Sequence, residues 1–524
     1  MKNNDFDFIK NRFNSAEADV PDSLDERVIK YKILTNHKHK TIIFKPKKKN
    51  NYKAVISAAA CFILILGIVF AAVPGFLNSD KVTTFNNYNN LNTKIAELEK
   101  AVLPTGGQGG VFKTVLCKQE DGIETPKAVK TDGEYIYCAY FDSNDNINRN
   151  KVYIYKYLTE SDGAELVSII DRLAPDATGE YDDIYEINNL FIYKNRLVIN
   201  MDKNNYMSSY KYNRDFRTAI TKIYDITDKS SPILISELEQ SGKRYTTLMI
   251  DNILYTVTNY SVTTDDKSCS VPMVKHNDET VSINAKNIAC FENVKQSQYA
   301  VINMTDVTTG KLSASPTAVL GGSAIVNCTK EYMYISEFID GEDCGGYPER
   351  ENCPAMKLNL KNNKFDIAAS DEIAKHTDNK INTGNPDSYS GTVYDIGEYR
   401  LGIESDVNTG NNELTLYDNN MNRLDNIVFN NIWLNTKTGS LSVNNEKSVY
   451  ALPAGFSDDT GHYFGVVTFE IQNDKIVITN KFKSESYENY QFRECLFTDD
   501  YIYSIGINSD ASDDKKITVN KYKY

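Results

Sequence analysis

Histidine and tryptophan are scarce in this chain: five of the first and one of the second, Trp433, in 524 residues. Beyond residue 53 only His276, His376 and His462 remain, far apart in sequence. None of the nine cysteines forms a C-x-x-C pair, so the usual tetrahedral zinc sites have no ligand set. Three further motifs are missing: the G-x-S-x-G nucleophile elbow, the phosphate-cradling G-x-x-x-x-G-K-[ST] loop, and the dinucleotide G-x-G-x-x-G. With no oriented nucleophile, metal shell or cofactor loop, we expect no catalytic residue, no cofactor and no metal. Positive charge is also short, the net charge being −13. Residues 1–53 hold 13 Lys+Arg against 7 Asp+Glu, a charge of +6, so the rest of the chain carries −19. A surface of that sign repels phosphates and argues against a nucleic-acid partner.

What the chain does have is one long apolar run. Ala54 to Val73, AVISAAACFILILGIVFAAV, holds 20 residues with no charge. As a helix it spans about 30 Å, the hydrocarbon thickness of a bilayer. Lys45, Lys47, Lys48, Lys49 and Lys53 crowd its N-terminal side, and the next charges after it are Asp80 and Lys81. Lysines stay on the cytoplasmic side, so the expectation is a single-pass protein with residues 1–53 inside and the remainder outside. A cleavable signal peptide is the rival. It is disfavoured by the 53 residues before the run and by a run longer than the usual 7–15.

The expected organisation is a basic cytoplasmic tail at 1–53, a membrane helix at 54–77, a stalk helix and Gly-rich linker at 78–110, and one domain at 111–524. In the tail, Ser23 and Glu26 fit a capping box before Leu24, Val28 and Tyr31, which predicts a short amphipathic helix over residues 24–34. In the stalk, Leu91, Ile95, Leu98 and Val102 recur at helical spacing, and Pro104 to Gly110, PTGGQGG, ends that pattern in a flexible break. Eight cysteines lie outside the run, Cys117, Cys138, Cys269, Cys290, Cys328, Cys344, Cys353 and Cys495. An even number outside a cell permits disulfides, with Cys344 and Cys353 close enough to close a short loop, although reduced thiols fit equally well.

From residue 111 a polar turn and a Tyr-rich strand return again and again. The copies are TDGEYIYCAY from Thr131, YKNRLVINM from Tyr193, IDNILYTVTNY from Ile250, KEYMYISEF from Lys330, IGEYRLGIES from Ile396, NEKSVYALPAG from Asn445 and TDDYIYSIGI from Thr498. Their central residues, Tyr135, Leu197, Leu254, Met333, Arg400, Val449 and Tyr501, are spaced 62, 57, 79, 67, 49 and 52 apart. A period of that size, filled with strands and no helix, marks β-propeller blades. A sandwich needs only about seven strands. The fold class expected is all-β, a seven-bladed propeller, with six or eight blades as near alternatives. Gly109 to Leu116 has no blade of its own. It is expected to pair into the blade of Tyr501, whose sheet is otherwise a strand short, and so remove an open edge.

Three stretches resemble a known group, the bacterial secreted or membrane-anchored proteins with a β-propeller domain. They are AVKTDGEYIYCAY from Ala128, ITKIYDITDKSSPILISELEQSG from Ile220 and YTTLMIDNILYTVTNY from Tyr245, and with the repeat texture they cover roughly residues 125–505. The resemblance implies the fold and the location but no defined activity, so it transfers no site residues. The tail-plus-anchor arrangement is similar to that of short-tailed Firmicutes-like membrane proteins, some of which regulate sigma factors.

Two acidic loops, Asp142 to Asn146 and Asp510 to Asp514, lack the Gly and Glu an EF-hand needs at its sixth and twelfth positions and read as solvated turns. Asp458, Asp459 and His462 form a compact cluster read as a hairpin cap. The function expected is therefore a membrane-anchored module outside the cell that binds an unknown protein or glycan. The alternatives are a carbohydrate-active enzyme on the same scaffold, or a signalling receptor whose tail meets a cytoplasmic partner.

Overall fold

The computed structural model describes residues 82–101 and, from 123 onward, all but 125, 142–149, 159–162, 175–182, 205–216, 263–270, 292–293, 295–296, 338–354, 369–388, 407–411, 420–421, 435–440, 485–489, 499 and 509–516. The chain divides into two units, Met1–Ser79 and Asp80–Tyr524, and all described residues belong to the second. The tail with Lys45, Lys47, Lys48, Lys49 and Lys53, its residues 24–34, the Ala54 to Val73 run, Gly109 to Leu116 and both acidic loops lie outside the described residues. Among the described residues no helix is long and apolar enough to cross a membrane.

Strands build seven sheets among the described residues, each centred on one stretch of chain. The first holds Val129–Thr131, Tyr135–Phe141, Asn150–Tyr157 and Ala164–Ile170. The second holds Ile184–Tyr193, Arg196–Asn204, Arg217–Asp225 and Ile233–Ser241, extended by Met273–His276 and Glu279–Ser282. The third is centred on Lys243–Ile250, Ile253–Ser261, Gln298–Asp306 and Thr317–Leu320. The fourth runs from Gly322–Cys328 to Lys364–Ile367, and the fifth from Tyr389–Ile396 to Arg423–Phe429. In the sixth, Ile432–Leu434 and Ser442–Asn444 both pair with Val449–Asp458, followed by Gly461–Gln472 and Lys475–Lys483. The seventh holds Tyr490–Phe497, Tyr501–Asn508 and Ile517–Lys523. Neighbours in each sheet are antiparallel, with one parallel pair, Ile288–Cys290 beside Thr317–Leu320.

All seven sequence copies fall on the second strand of their sheet. The motif has a mechanical reason, seen in the first copy. Asp132 Oδ1 accepts the backbone N–H groups of Glu134 and Tyr135 at 3.1 and 2.8 Å. Its Oδ2 accepts the Tyr137 hydroxyl at 2.8 Å. Gly133 sits at φ +94°, a conformation that costs glycine little. The Thr-Asp-Gly turn thus pins both the reversal and the first inward tyrosine of the strand.

Alternation gives the second strands two faces, and among the described residues these pack sheet against sheet at six junctions. Tyr137 and Ile154 pack with Leu190 and Leu197, joining the first sheet to the second. Phe191 and Val198 meet Met249 and Leu254, joining second and third. Val257 and Ile302 share a cluster with Met333 and Leu358 of the fourth. Leu401 and Leu414 of the fifth pack with Leu452 and Phe469 of the sixth. Ala451 and Val466 of the sixth meet Cys495 and Ile502 of the seventh. The seventh returns to the first, Leu496 and Ile505 packing with Val129, Ile136 and Tyr153.

The expected stalk helix is instead part of the domain. The helix predicted from Leu91, Ile95 and Leu98 runs Tyr88–Ala101, with Asn87 Oδ1 capping it by accepting the Asn90 N–H at 3.0 Å. Leu91, Ile95 and Leu98 are buried in the cluster of the third sheet, and Thr83–Thr84 ahead of the helix pairs with Ile288–Cys290. A three-residue apolar stripe is too valuable to leave in water, at about 1.5–3 kcal/mol per buried aliphatic side chain. Cys138, Cys290, Cys328 and Cys495 are each buried as thiols. The other four outer cysteines lie outside the described residues.

Candidate binding site on the first strands

A short segment runs along the first strands of three sheets. Ile123–Glu124 pairs with the first strand of the third sheet, Ile123 opposite Ile250 and Glu124 opposite Met249. Lys127 then exchanges backbone hydrogen bonds with Leu190 of the second sheet, at 3.4 and 2.8 Å. Val129–Thr131 finally becomes the first strand of the first sheet. The chain therefore touches three consecutive sheets in the span 123–131.

Side chains extend these ties. Lys127 Nζ donates at 3.5 Å to the carbonyl of Leu441, just ahead of the Ser442–Asn444 strand of the sixth sheet. Lys130 Nζ is ion-paired with Glu124 Oε1 and lies 5.4 Å from the centre of the Phe191 ring. Burial holds the Lys130 ammonium below its usual pKa, with Glu124, and more weakly Glu494, pulling the other way. Glu494, on the first strand of the seventh sheet, is itself buried, beside Cys495. The Ser442 hydroxyl donates to the Cys495 carbonyl, tying sixth to seventh. Two lysines and two carboxylates here offset one another, and the arrangement acts as a brace.

At the end where the first strands begin, a second set of charges is paired. Arg244, on the first strand of the third sheet, donates from Nη2 to the carbonyls of Met201 and Ile220 at 3.1 and 2.6 Å, and from Nη1 to Thr247 Oγ1 at 3.0 Å. Its Nε lies 3.4 Å from Asp202 Oδ1. Burial lowers the Arg244 pKa, and Asp202 opposes the shift. Lys203 bonds Asp183 at 2.7 Å. Burial works against its charge, but Asp183 and Tyr185 outweigh it and the pKa rises.

The sixth sheet differs at this end. Ile432 and Leu434 are buried against the fifth sheet, and Trp433 between them faces the other way, 47% exposed. Its strand partner is Gly455, where a Cβ would come within 3.4 Å of the indole. The His462 ring lies 6.1 Å away, on the hairpin that closes this end of the sheet. Asn430 and Asn431, just ahead, are exposed.

The Asp458, Asp459 and His462 cluster is thus divided. Asp458 does cap the hairpin, accepting the Thr460 N–H at 2.9 Å, and its other oxygen bonds Lys483 Nζ at 2.6 Å. Lys483 and Thr460 hold its carboxyl well below the usual range. His462 instead keeps company with Trp433. The tryptophan escaped the sequence reading, although a signal was there: it sits between two aliphatic residues on a strand, so alternation sends it to the opposite face. Among the described residues no group of three or more His, Cys, Asp or Glu is arranged to hold a metal.

A profile of the Beta propeller domain family matches residues 117–428. No curated protein matches the sequence. Among solved structures the chain is similar to apo AztD from Citrobacter koseri, with 10% identity over 76% of this chain and 95% of that one, at a TM-score of 0.29. It is also similar to an ulvan lyase described as a new polysaccharide lyase family, PL25, with 10% identity over 77% and 93% and a TM-score of 0.35. The NanB sialidase from Streptococcus pneumoniae matches with 9% identity over 79% and 70%, at 0.29. Likeness at this level carries no argument about what any site does.

Proposed function

The chain belongs to the Beta propeller domain family, and from that premise we propose that its seven sheets are the seven blades of one ring, held outside the cell by the Ala54 to Val73 helix and working as a binding module. The lysines at 45, 47, 48, 49 and 53 support the orientation, through their cytoplasmic preference. A ring of sheets presents connecting loops on a rigid frame, which suits recognition. The observation that carries the binding reading is Trp433, a large aromatic left half in water on a first strand, where the other large side chains of that strand are buried. Tryptophan, with an apolar face and a donor N–H, is enriched among recognition anchors.

Two measurements test this. On intact cells, external protease should digest the propeller and spare a tag placed at residue 2. Loss of that tag, or a mature chain beginning near Pro74, would refute the anchor. The full chain in nanodiscs should retain a ligand from arrayed surface glycans and purified surface proteins. Turnover of glycoside, ester or peptide substrates that vanishes on changing one acidic side chain of the first strands would replace the binding reading with an enzymatic one.

A further inference from the structure

We propose that Trp433 and His462 form a platform for a neutral, β-linked pyranose chain. This rests on the binding reading above and assigns it a site and a ligand chemistry.

The geometry begins with strand register. Trp433 pairs with Gly455, a residue with no side chain to stand over the indole. Gly455 in turn pairs with Phe464, which is buried. Ser457 and His462 face each other two register steps nearer the hairpin. The imidazole lies 6.1 Å from the indole with the two rings inclined at 50°. The backbone of Ser457 donates to the carbonyl of Asn431 at 2.9 Å, which fixes the turn before the tryptophan to the rim of the hairpin. Near the exposed indole the register therefore places the exposed His462, its imidazole 6.1 Å away, with the half-buried Ser457 opposite it and the exposed Asn431 tied to the Ser457 backbone. These three are polar, and the large apolar residue that register adds to this face, Phe464, is buried.

That combination selects a chemistry. A protein hot spot places its aromatic anchor in an apolar surround that excludes water. A sugar ring asks for the opposite: one flat π-face for its axial C–H groups, which carry partial positive charge toward the negative ring face, and a polar border for its equatorial hydroxyls. Amide, hydroxyl and imidazole groups each donate and accept, as hydroxyl recognition needs. The sign of the local charge narrows the class. Asp458 and Asp459 stand on the hairpin tip, the nearby Lys483 is bonded to Asp458 at 2.6 Å, and the region beyond residue 53 carries −19. Sialic acids, uronates and sulfated sugars meet an unfavourable field there, and a neutral sugar does not. Chains linked through equatorial bonds are flat ribbons that show axial C–H groups on both faces, which fits an exposed indole better than the coiled α-linked chains do.

The single tryptophan makes the test direct, because all indole emission comes from Trp433. The full chain in nanodiscs is titrated with cellotetraose and chitotetraose, with maltotetraose and a sialylated tetrasaccharide as comparison. The expected result is a saturable blue shift with at least one β-linked probe, at least tenfold weaker response to the other two, and His462→Ala weakening binding several-fold. Trp433→Ala is followed by calorimetry and should lose at least tenfold in affinity while its thermal transition stays that of the wild type. Trp433→Phe should recover part of the loss. No emission change at millimolar β-linked probe overturns the sugar assignment. If the same preparation captures a purified surface protein, the binding module itself stands. β-linked binding that Trp433→Ala leaves intact overturns the site and keeps the ligand class.

Discussion

The Arg244 guanidinium reaches out of the third sheet to carbonyl oxygens of Met201 and Ile220 in the second. Those acceptors and Asp202 are left short if it goes. Arg244→Ala should destabilise the domain by about 3 kcal/mol, the cost of stranding a buried charge partner and its acceptors. Arg244→Lys keeps the charge but not the planar fork and should fall between, as read by chemical denaturation. Other buried groups set a limit in alkali. Burial pushes the Cys495 thiol up to about 12 from 9.0, and the Tyr224 and Tyr255 phenols up to about 12 from 10.0. A folded pKa above the unfolded one means stability that is whole below the unfolded value and drains away as pH rises toward the folded one. Tm should therefore hold below pH 9 and fall between 9 and 12, and Cys495→Ala should remove the earliest part of that fall. A Tm unchanged to pH 11 would contradict the burial of these groups.

For single elements the helix Tyr88–Ala101 is the informative case. Its stripe was legible in sequence as helical spacing, but spacing says which residues share a face and not what the face meets. Packing decides that. Leu91→Ala and Ile95→Ala should each cost about 2–5 kcal/mol, the usual range for emptying a buried aliphatic site. The exposed Glu97→Ala should stay within about 0.5 kcal/mol. Equal, small effects at all three would return the helix to the role of a stalk. The strand copies were legible for a different reason. The Asp132 turn is satisfied by neighbours two, three and five residues on, so its whole mechanism lies inside a short window. The segment from Ile123 to Thr131 had no such window, since Lys127 bonds a carbonyl 314 residues away.

At the scale of the molecule, the seventh sheet must rest on the first. The Tyr157 and Tyr503 rings lie 4.4 Å apart, and Lys521 Nζ donates to the Leu158 carbonyl at 3.5 Å. Ile517 belongs to the cluster shared with the first sheet, and Tyr522 and Tyr524 to the one shared with the sixth. Ending the chain at residue 516 removes the outer strand of the seventh sheet and contributions to both junctions. Hydrogen exchange should then speed up in Tyr135–Phe141 and Asn150–Tyr157 of the first sheet as well as in Tyr490–Phe497. Loss of protection confined to the seventh sheet would mean that the sheets are stable independently.

The sequence alone determined the all-strand character, the seven second strands and the turns that start them, because alternation and turn chemistry are written in neighbouring residues. It also marked out the apolar run and its lysines, on which the proposed membrane anchor rests. Only the tertiary structure decided that the helix is buried, that Ile123 to Thr131 braces three sheets, that Asp458 pairs with Lys483 while His462 stands beside Trp433, and that the last sheet closes on the first. Each of those depends on contacts that the local pattern does not specify. A local pattern fixes the face a side chain presents, and the partner on that face is chosen by how whole sheets come together.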